Sequence, residues 1–113
     1  MNTVDFSKFR ERVRSLEELK GFVLSRLQEA GISPVVQSTT MVGKEEAVLV
    51  QWRLGSPDSM RQINLVLYRT EDVLGFSCVG GAARVKDMDF SQPVGLASLM
   101  SILHAGGRCN AAA

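Results

Sequence analysis

Residues 47–70, AVLVQWRLGSPDSMRQINLVLYRT, decide the fold because they hold two apolar-rich runs on either side of a turn. Alternate positions from Val48 to Leu54 are apolar, which is the two-residue period of a strand with one buried face. The run from Gln62 to Thr70 alternates in the same way. Residues 55–59, GSPDS, have the composition of a turn. This stretch therefore predicts two strands of an antiparallel sheet that is covered on one side.

A long amphipathic segment, from Asp5 to Ala30, precedes the strands. Its apolar residues recur at steps of three, four and seven, the period of a helix that buries one face: Phe6, Phe9, Val13, Leu16, Val23 and Leu27. We predict a long N-terminal helix here that stops at Gly31. Ser15 followed by Glu18 fits a capping box, which leaves open whether the helix is continuous or broken near Ser15.

The flanking segments complete the prediction. Val35–Val42 is rich in β-branched residues, and Leu74–Lys86 is either a strand or a hairpin folded at Gly80 and Gly81. A helix that is apolar on most sides begins near Pro93. We therefore predict an α+β fold in the order α-β-β-β-β-α, with four or five antiparallel strands and the helices packed on one face of the sheet. Strand order stays open.

Length and composition favour one globular domain. The chain has 113 residues, so we expect a single domain over residues 1–107 and a disordered tail over residues 108–113. Cys78 and Cys109 are expected to be thiols in a reducing compartment, since a secreted disulfide scaffold carries more cysteines. The N-terminus lacks a basic region followed by an apolar run, and no window is long and apolar enough to span a membrane. A soluble, cytoplasmic protein is the expectation.

The charge and the motifs of the chain argue against several classes of function without identifying one. With 13 basic and 12 acidic residues, the net charge of +1 gives no general attraction to nucleic acid or to anionic lipid. His104 is the single histidine, and Cys78 has no activating motif around it. One histidine and two scattered cysteines do not provide metal-ligand spacing. We therefore expect no metal and no cofactor, and a non-catalytic role is favoured over an enzyme.

Two surfaces are candidates for binding nucleic acid or another ligand. Lys8, Arg10, Arg12 and Arg14 form a basic run in the first helix, and the helix-strands-helix order resembles double-stranded-RNA-binding domains in topology. The last helix, however, carries no lysine or arginine, so nucleic-acid binding is expected to be weak at best. Several residues are predicted to face outward from the sheet or to hold an anion, and they form a possible binding surface: Gln51, Arg53, Gln62, Asn64, Tyr68, Arg69 and Arg84. Trp52 is expected to be a core anchor beneath the first helix.

Two classes of function remain. The first is a protein-binding or adaptor module that works as a homodimer, and the predicted arrangement resembles small chaperones of secreted effectors and some immunity proteins at the level of fold. The second is a small-ligand-binding domain or enzyme with a pocket between sheet and helices, in which Arg53, Arg69 or Arg84 holds an anion and Tyr68 donates a hydrogen bond. The sequence identifies neither the partner nor the pathway.

Overall fold

A computed structural model of the chain describes residues 5–56, 58–80 and 83–104. Its elements, in chain order, are α1 (Phe6–Arg12), α2 (Leu16–Glu29), β1 (Val35–Thr39), β2 (Glu46–Ser56), β3 (Ser59–Arg69), β4 (Leu74–Gly80), β5 (Ala83–Asp89) and α3 (Pro93–His104). The α+β prediction is confirmed, with five strands in the sheet. The predicted tail over residues 108–113, Cys109 and Gly81 lie outside the described residues.

The N-terminal segment is two helices with a break before Leu16, which is the second of the two alternatives that the capping signal at Ser15 left open. Asp5 caps α1 by accepting from the backbone N–H groups of Ser7 at 2.9 Å and Lys8 at 3.2 Å. Ser15 caps α2 by accepting from the N–H of Glu18 at 3.1 Å. The Glu18 carboxylate reaches back to accept from the N–H of Arg14 at 3.1 Å. Because these bonds use groups that a continuous helix would pair internally, the capping signal ends one helix and starts the next.

The second helix ends at the glycine that the sequence indicated. Gly31 has a φ of +77°, which a residue without a side chain adopts at little cost. The N–H of Ile32 donates to the carbonyl of Leu27, and the N–H of Gly31 donates to that of Gln28, each at 2.9 Å. This pair of bonds is a Schellman ending, which turns the chain from α2 toward β1.

The strands form an antiparallel meander in the order β1-β2-β3-β4-β5. The hairpin interpretation of Leu74–Lys86 is confirmed, because β4 ends at Gly80 and β5 begins opposite it at Ala83. The pairing of β4 with β5 shifts register between Phe76 and Cys78. Two residues of β5, Lys86 and Asp87, therefore lie opposite the single residue Ser77 of β4. This irregularity is a β-bulge.

One core lies between the three helices and one face of the sheet. From the sheet, its buried members are Val50, Trp52, Ile63, Leu65, Leu67, Phe76 and Cys78. From the helices and the segment that leads into α3, they are Phe9, Val13, Leu16, Leu19, Val23, Leu27, Phe90, Leu96, Leu99, Ile102 and Leu103. Trp52 is 4% exposed, as expected of a core anchor. Because side chains alternate along a strand, the residues between these positions point to the other side of the sheet.

Candidate binding surface on the uncovered face of the sheet

We call the side of the sheet opposite the helices the open face. Its side chains form rows across the strands, because directly paired residues point the same way. One row crosses all five strands and consists of Val35, Gln51, Asn64, Val79 and Arg84. The next row is formed by Gln37, Leu49, Val66 and Ser77. A third row is formed by Thr39, Ala47, Tyr68, Gly75 and Asp89.

Apolar side chains are exposed on this face. Val35 is 57% exposed, Met60 is 55% exposed and Val79 is 43% exposed, and all three share the parity of the open face. Leu49 and Val66 are half-buried in the second row, next to the row that holds Val35 and Val79, whereas Met60 lies opposite Gly55 at the far end of the face. Exposed apolar side chains interspersed with polar ones are typical of a protein contact.

One end of the open face, here called the open end, consists of Gln51, Arg53, Gln62, Asn64 and Arg84. The side-chain oxygen of Asn64 accepts from Gln51 Nε2 at 2.8 Å and from Gln62 Nε2 at 3.0 Å. These bonds hold the three amides in one ladder above β2 and β3. Arg53 and Arg84 are exposed beside them. The open end therefore presents donors and acceptors on a rigid strand framework, with two cationic side chains.

The other end, here called the closed end, consists of Lys44, Tyr68, Gly75, Ser77 and Asp87. Tyr68 is only 2% exposed although its side of the sheet has no helix above it. Its hydroxyl donates to Asp87 Oδ1 at 3.2 Å. Lys44 Nζ lies 3.9 Å from the centre of the tyrosine ring and 3.5 Å from the same carboxylate oxygen. The lysine thus covers the ring through a cation–π contact and closes the cluster with an ion pair.

Two backbone features, a turn and a β-bulge, position Lys44 and Asp87 at the closed end. Residues 41–44 form a turn, in which Gly43 has a φ of +79° and the Lys44 N–H donates to the Met41 carbonyl at 3.1 Å. In the β5 bulge, Asp87 has a φ of +49°, a left-handed conformation that aspartate tolerates better than most residues. The Asp87 N–H donates to Ser77 Oγ at 2.9 Å, which fixes the bulge against β4.

The contacts of the closed end raise the pKa of Tyr68 and lower the pKa of Asp87. Burial is the largest cause that raises the pKa of Tyr68, and the neighbouring Asp87 charge adds to it, so the pKa moves from 10.0 to about 12. For Asp87, desolvation opposes ionisation, but hydrogen bonds from Tyr68, Lys44 and Ser77 and the lysine charge outweigh it. The pKa of Asp87 is therefore lowered, and the closed end holds a neutral phenol beside an ionised carboxylate at neutral pH.

A glycine makes room for the tyrosine. Gly75 lies directly opposite Tyr68 in the pairing of β3 with β4. A Cβ atom at this position would lie 3.0 Å from the Tyr68 hydroxyl and 2.5 Å from the Met88 carbonyl oxygen. The ring therefore lies across the glycine, and the bare backbone there is part of how Tyr68 becomes buried.

Five of the seven residues predicted to form a binding surface lie together in the open end: Gln51, Arg53, Gln62, Asn64 and Arg84. Tyr68 shares the face, but it is buried in the closed end. Arg69 does not belong to the surface, because it has the parity of Leu67 and pairs with Glu46 on the helix side of β3. Its guanidinium lies 3.3 Å from the Glu45 carboxylate and 3.5 Å from that of Glu46. It therefore neutralises local carboxylates.

The sequence did not indicate Lys44, Met60, Val79 or Asp87 as members of the face. The predicted strand or hairpin ended at Lys86, but β5 continues to Asp89, so Asp87 and Asp89 both lie in the sheet. Asp89 accepts from the backbone and hydroxyl of Ser91, which lowers the pKa of its carboxyl. The alternation of β5 is interrupted by its bulge, so periodicity could not have placed Asp87 on the open face.

The clefts of the described residues are surface features. One of about 470 Å³ lies beside α1 and is lined by charges of both signs, among them Arg10, Arg14, Asp72 and Asp89. The basic run predicted for nucleic acid thus faces carboxylates at this point. Between α2 and α3 lies another cleft, of about 410 Å³. The layer between helices and sheet is filled by side chains such as Val23, Leu65 and Leu99, which are 0% exposed.

Within residues 5–56, 58–80 and 83–104, no group of three or more potential ligands is placed to hold a metal ion. None of the described helices is long and apolar enough to cross a membrane. Comparisons of the chain with protein-family models, with curated proteins and with solved structures give no match.

Proposed function

We propose that this chain is a non-catalytic protein-binding module that works as a homodimer and docks its partner on the open face of the sheet. The observation that carries the proposal is the set of apolar side chains exposed there, Val35, Met60 and Val79, in a row pattern with the amides and arginines of the open end. Helices cover the opposite face, so this side of the sheet is left for a partner.

The shape of the surface favours a protein over a small molecule. Small-ligand sites are concave and bury most of the ligand. The open face is a sheet surface on which the exposed apolar side chains of Val35, Met60 and Val79 are interspersed with polar amides and arginines, as at a protein interface. Arg53 and Arg84 favour a partner segment that carries carboxylates beside its apolar side chains, since guanidinium groups bind carboxylates through paired hydrogen bonds.

Site-specific photocrosslinking tests the docking surface. A photoreactive phenylalanine analogue replaces Val79, which is 43% exposed on the open face, and the control replaces Ser25, which is exposed on α2. We expect a discrete adduct with a second protein from the Val79 position in cells that naturally express this chain. Equal adducts from both positions, or adducts from Ser25 alone, would contradict docking on the open face.

Native mass spectrometry tests the homodimer and the small-ligand alternative together. We expect twice the chain mass, without additional mass, over micromolar concentrations. A monomer at every concentration would remove the homodimer from the proposal. Retention of a small molecule that is lost on denaturation would instead favour the ligand-binding function.

A further inference from the structure

The two edges of the sheet differ in how they are protected. Edge strands offer unpaired backbone groups to other strands, and proteins block such pairing with bulges and charges. The β5 edge has both, since its seven residues include a bulge and four charged side chains: Arg84, Lys86, Asp87 and Asp89. The β1 edge, VVQST over Val35–Thr39, has no charge and pairs with β2 in unbroken register.

The β1 edge is also exposed on both of its faces. Val35 is 57% exposed on the open face, and Val36, which has the parity of the core, is still 38% exposed. The helix layer therefore does not extend over this strand. A flat, uncharged edge with exposed valines is the kind of edge to which another strand adds.

We infer that β1 pairs with β1 of a second copy in antiparallel orientation, around a twofold axis at Gln37. This inference rests on the homodimer of the proposed function and assigns its interface. Val35 then faces Thr39 of the other copy, and Val36 faces Ser38. Two five-stranded sheets become one sheet of ten strands, and like charges do not meet because β1 has none.

The ends of β1 are complementary to each other, which favours a second copy over an unrelated strand. Val42 is fully exposed in the turn five residues after Gln37. Ile32 lies five residues before Gln37, where a cleft of about 650 Å³ is lined by Ile32, Val35 and Trp52 and also by Gln51, Arg53 and Gln62 of the open end. Antiparallel pairing around Gln37 carries Val42 of each copy toward the cleft of the other, as a twofold interface requires.

Pairing through β1 has a consequence for binding. Val35 and Gln37 lie on the open face, so the two open faces join along the new seam. The dimer then presents a continuous surface in which each open end borders Val42 of the other copy, and a partner with two matching segments would bind more tightly than to one copy.

Charge exchange at the axis tests the interface. Gln37 of one copy faces Gln37 of the other there, so Gln37→Lys or Gln37→Glu places like charges opposite each other and should weaken self-association by up to roughly fivefold. An equimolar mixture of the two variants should restore association as a heterodimer, which native mass spectrometry resolves by mass. Gln37 is exposed, and thermal melts verify that each variant is folded. Val94→Lys is the control, since Val94 is 59% exposed on α3, and dimerisation should be unchanged.

Each outcome has a distinct meaning. Preferred heterodimers in the mixture support pairing through β1. Dimers that resist both Gln37 changes but dissociate with Val94→Lys overturn the inference and leave the homodimer in place, with α3 as its contact. A wild-type chain that is monomeric at every concentration ends both the inference and the proposed homodimer. The crosslinking result at Val79 is independent of all three.

Discussion

The closed and open ends of the same sheet face contain similar polar side chains in different environments. At the closed end, Tyr68 is 2% exposed and its hydroxyl is bonded to Asp87. At the open end, Gln62 and Arg84 are exposed, and the amide ladder is formed between neighbouring residues of β2 and β3. The first end satisfies its own polar groups, whereas the second keeps donors and cations available for another molecule.

The difference arises from groups that are distant in the chain. Lys44 lies 43 positions before Asp87, and Tyr68 lies 19 positions before it. A turn supplies the lysine and a bulge supplies the carboxylate. By alternation alone, the outward-facing side chains at both ends of a strand would be equally exposed. The turn and the bulge bring Lys44 and Asp87 over one end and bury Tyr68 there.

Filling the space under Tyr68 should have the largest effect. Gly75→Ala puts a Cβ atom 2.5 Å from the Met88 carbonyl oxygen, and it should lower the free energy of unfolding by about 2–3 kcal/mol. Gly21→Ala is the matched control, because it has no atom within 4 Å and lies inside α2, where alanine should stabilise by about 0.5–1 kcal/mol. Urea denaturation measures both. Equal stability of the two variants would show that the closed end is not tightly packed.

High pH should open the closed end. The raised pKa of Tyr68 means that the folded state favours the neutral phenol, so this contribution is complete below pH 10 and is lost as pH rises toward about 12. The loss should be of the order of 2 kcal/mol. Absorbance at 295 nm reports the ionisation directly, since the chain has one tyrosine. An ionisation midpoint near 10 in the folded protein would contradict the burial of this side chain.

Removing one hydroxyl should distinguish the two ends at neutral pH. Tyr68→Phe deletes the hydrogen bond to Asp87 and should cost about 1 kcal/mol of stability. Gln62→Ala at the open end also deletes a hydrogen bond, but this side chain is exposed and its loss should change stability by less than about 0.5 kcal/mol. The effects on binding should have the opposite order. If the partner found by crosslinking docks at the open end, Gln62→Ala lowers its affinity more than Tyr68→Phe does.

The architecture could be predicted because it depends on local patterns. The strand alternation around Trp52, the capping signal at Ser15 and the glycine at position 31 each appear in the structure where the sequence indicated them. The break in the N-terminal segment was left open because helical periodicity continues across it. Only the geometry shows that the Arg14 N–H donates to the side chain of Glu18, so that it does not pair with a backbone carbonyl as in a continuous helix.

The candidate binding surface was predictable only in part. Residues on the regular strands β2 and β3 kept their parity, so Gln51, Gln62 and Asn64 were placed together correctly. Arg69 was grouped with them although its parity is that of the core. Asp87 was missed because the β5 bulge breaks the two-residue period. Tertiary coverage by Lys44 has no signal in the alternation, so the burial of Tyr68 could not be anticipated.

Removing the lysine that covers Tyr68 should have the smallest effect. Lys44→Met keeps the apolar stem but loses the ion pair with Asp87 and the cation–π contact, and we expect a cost below about 1 kcal/mol. Part of this cost should disappear in about 1 M NaCl, where charges are screened over roughly 3 Å. Lys20→Met is the control, because its pair with the exposed Glu17 on α2 should contribute almost nothing. Urea denaturation at low and high salt measures both variants. A cost for Lys44→Met that is equal to the control would mean that burial by the strands and Gly75, without the lysine, is sufficient to close this end.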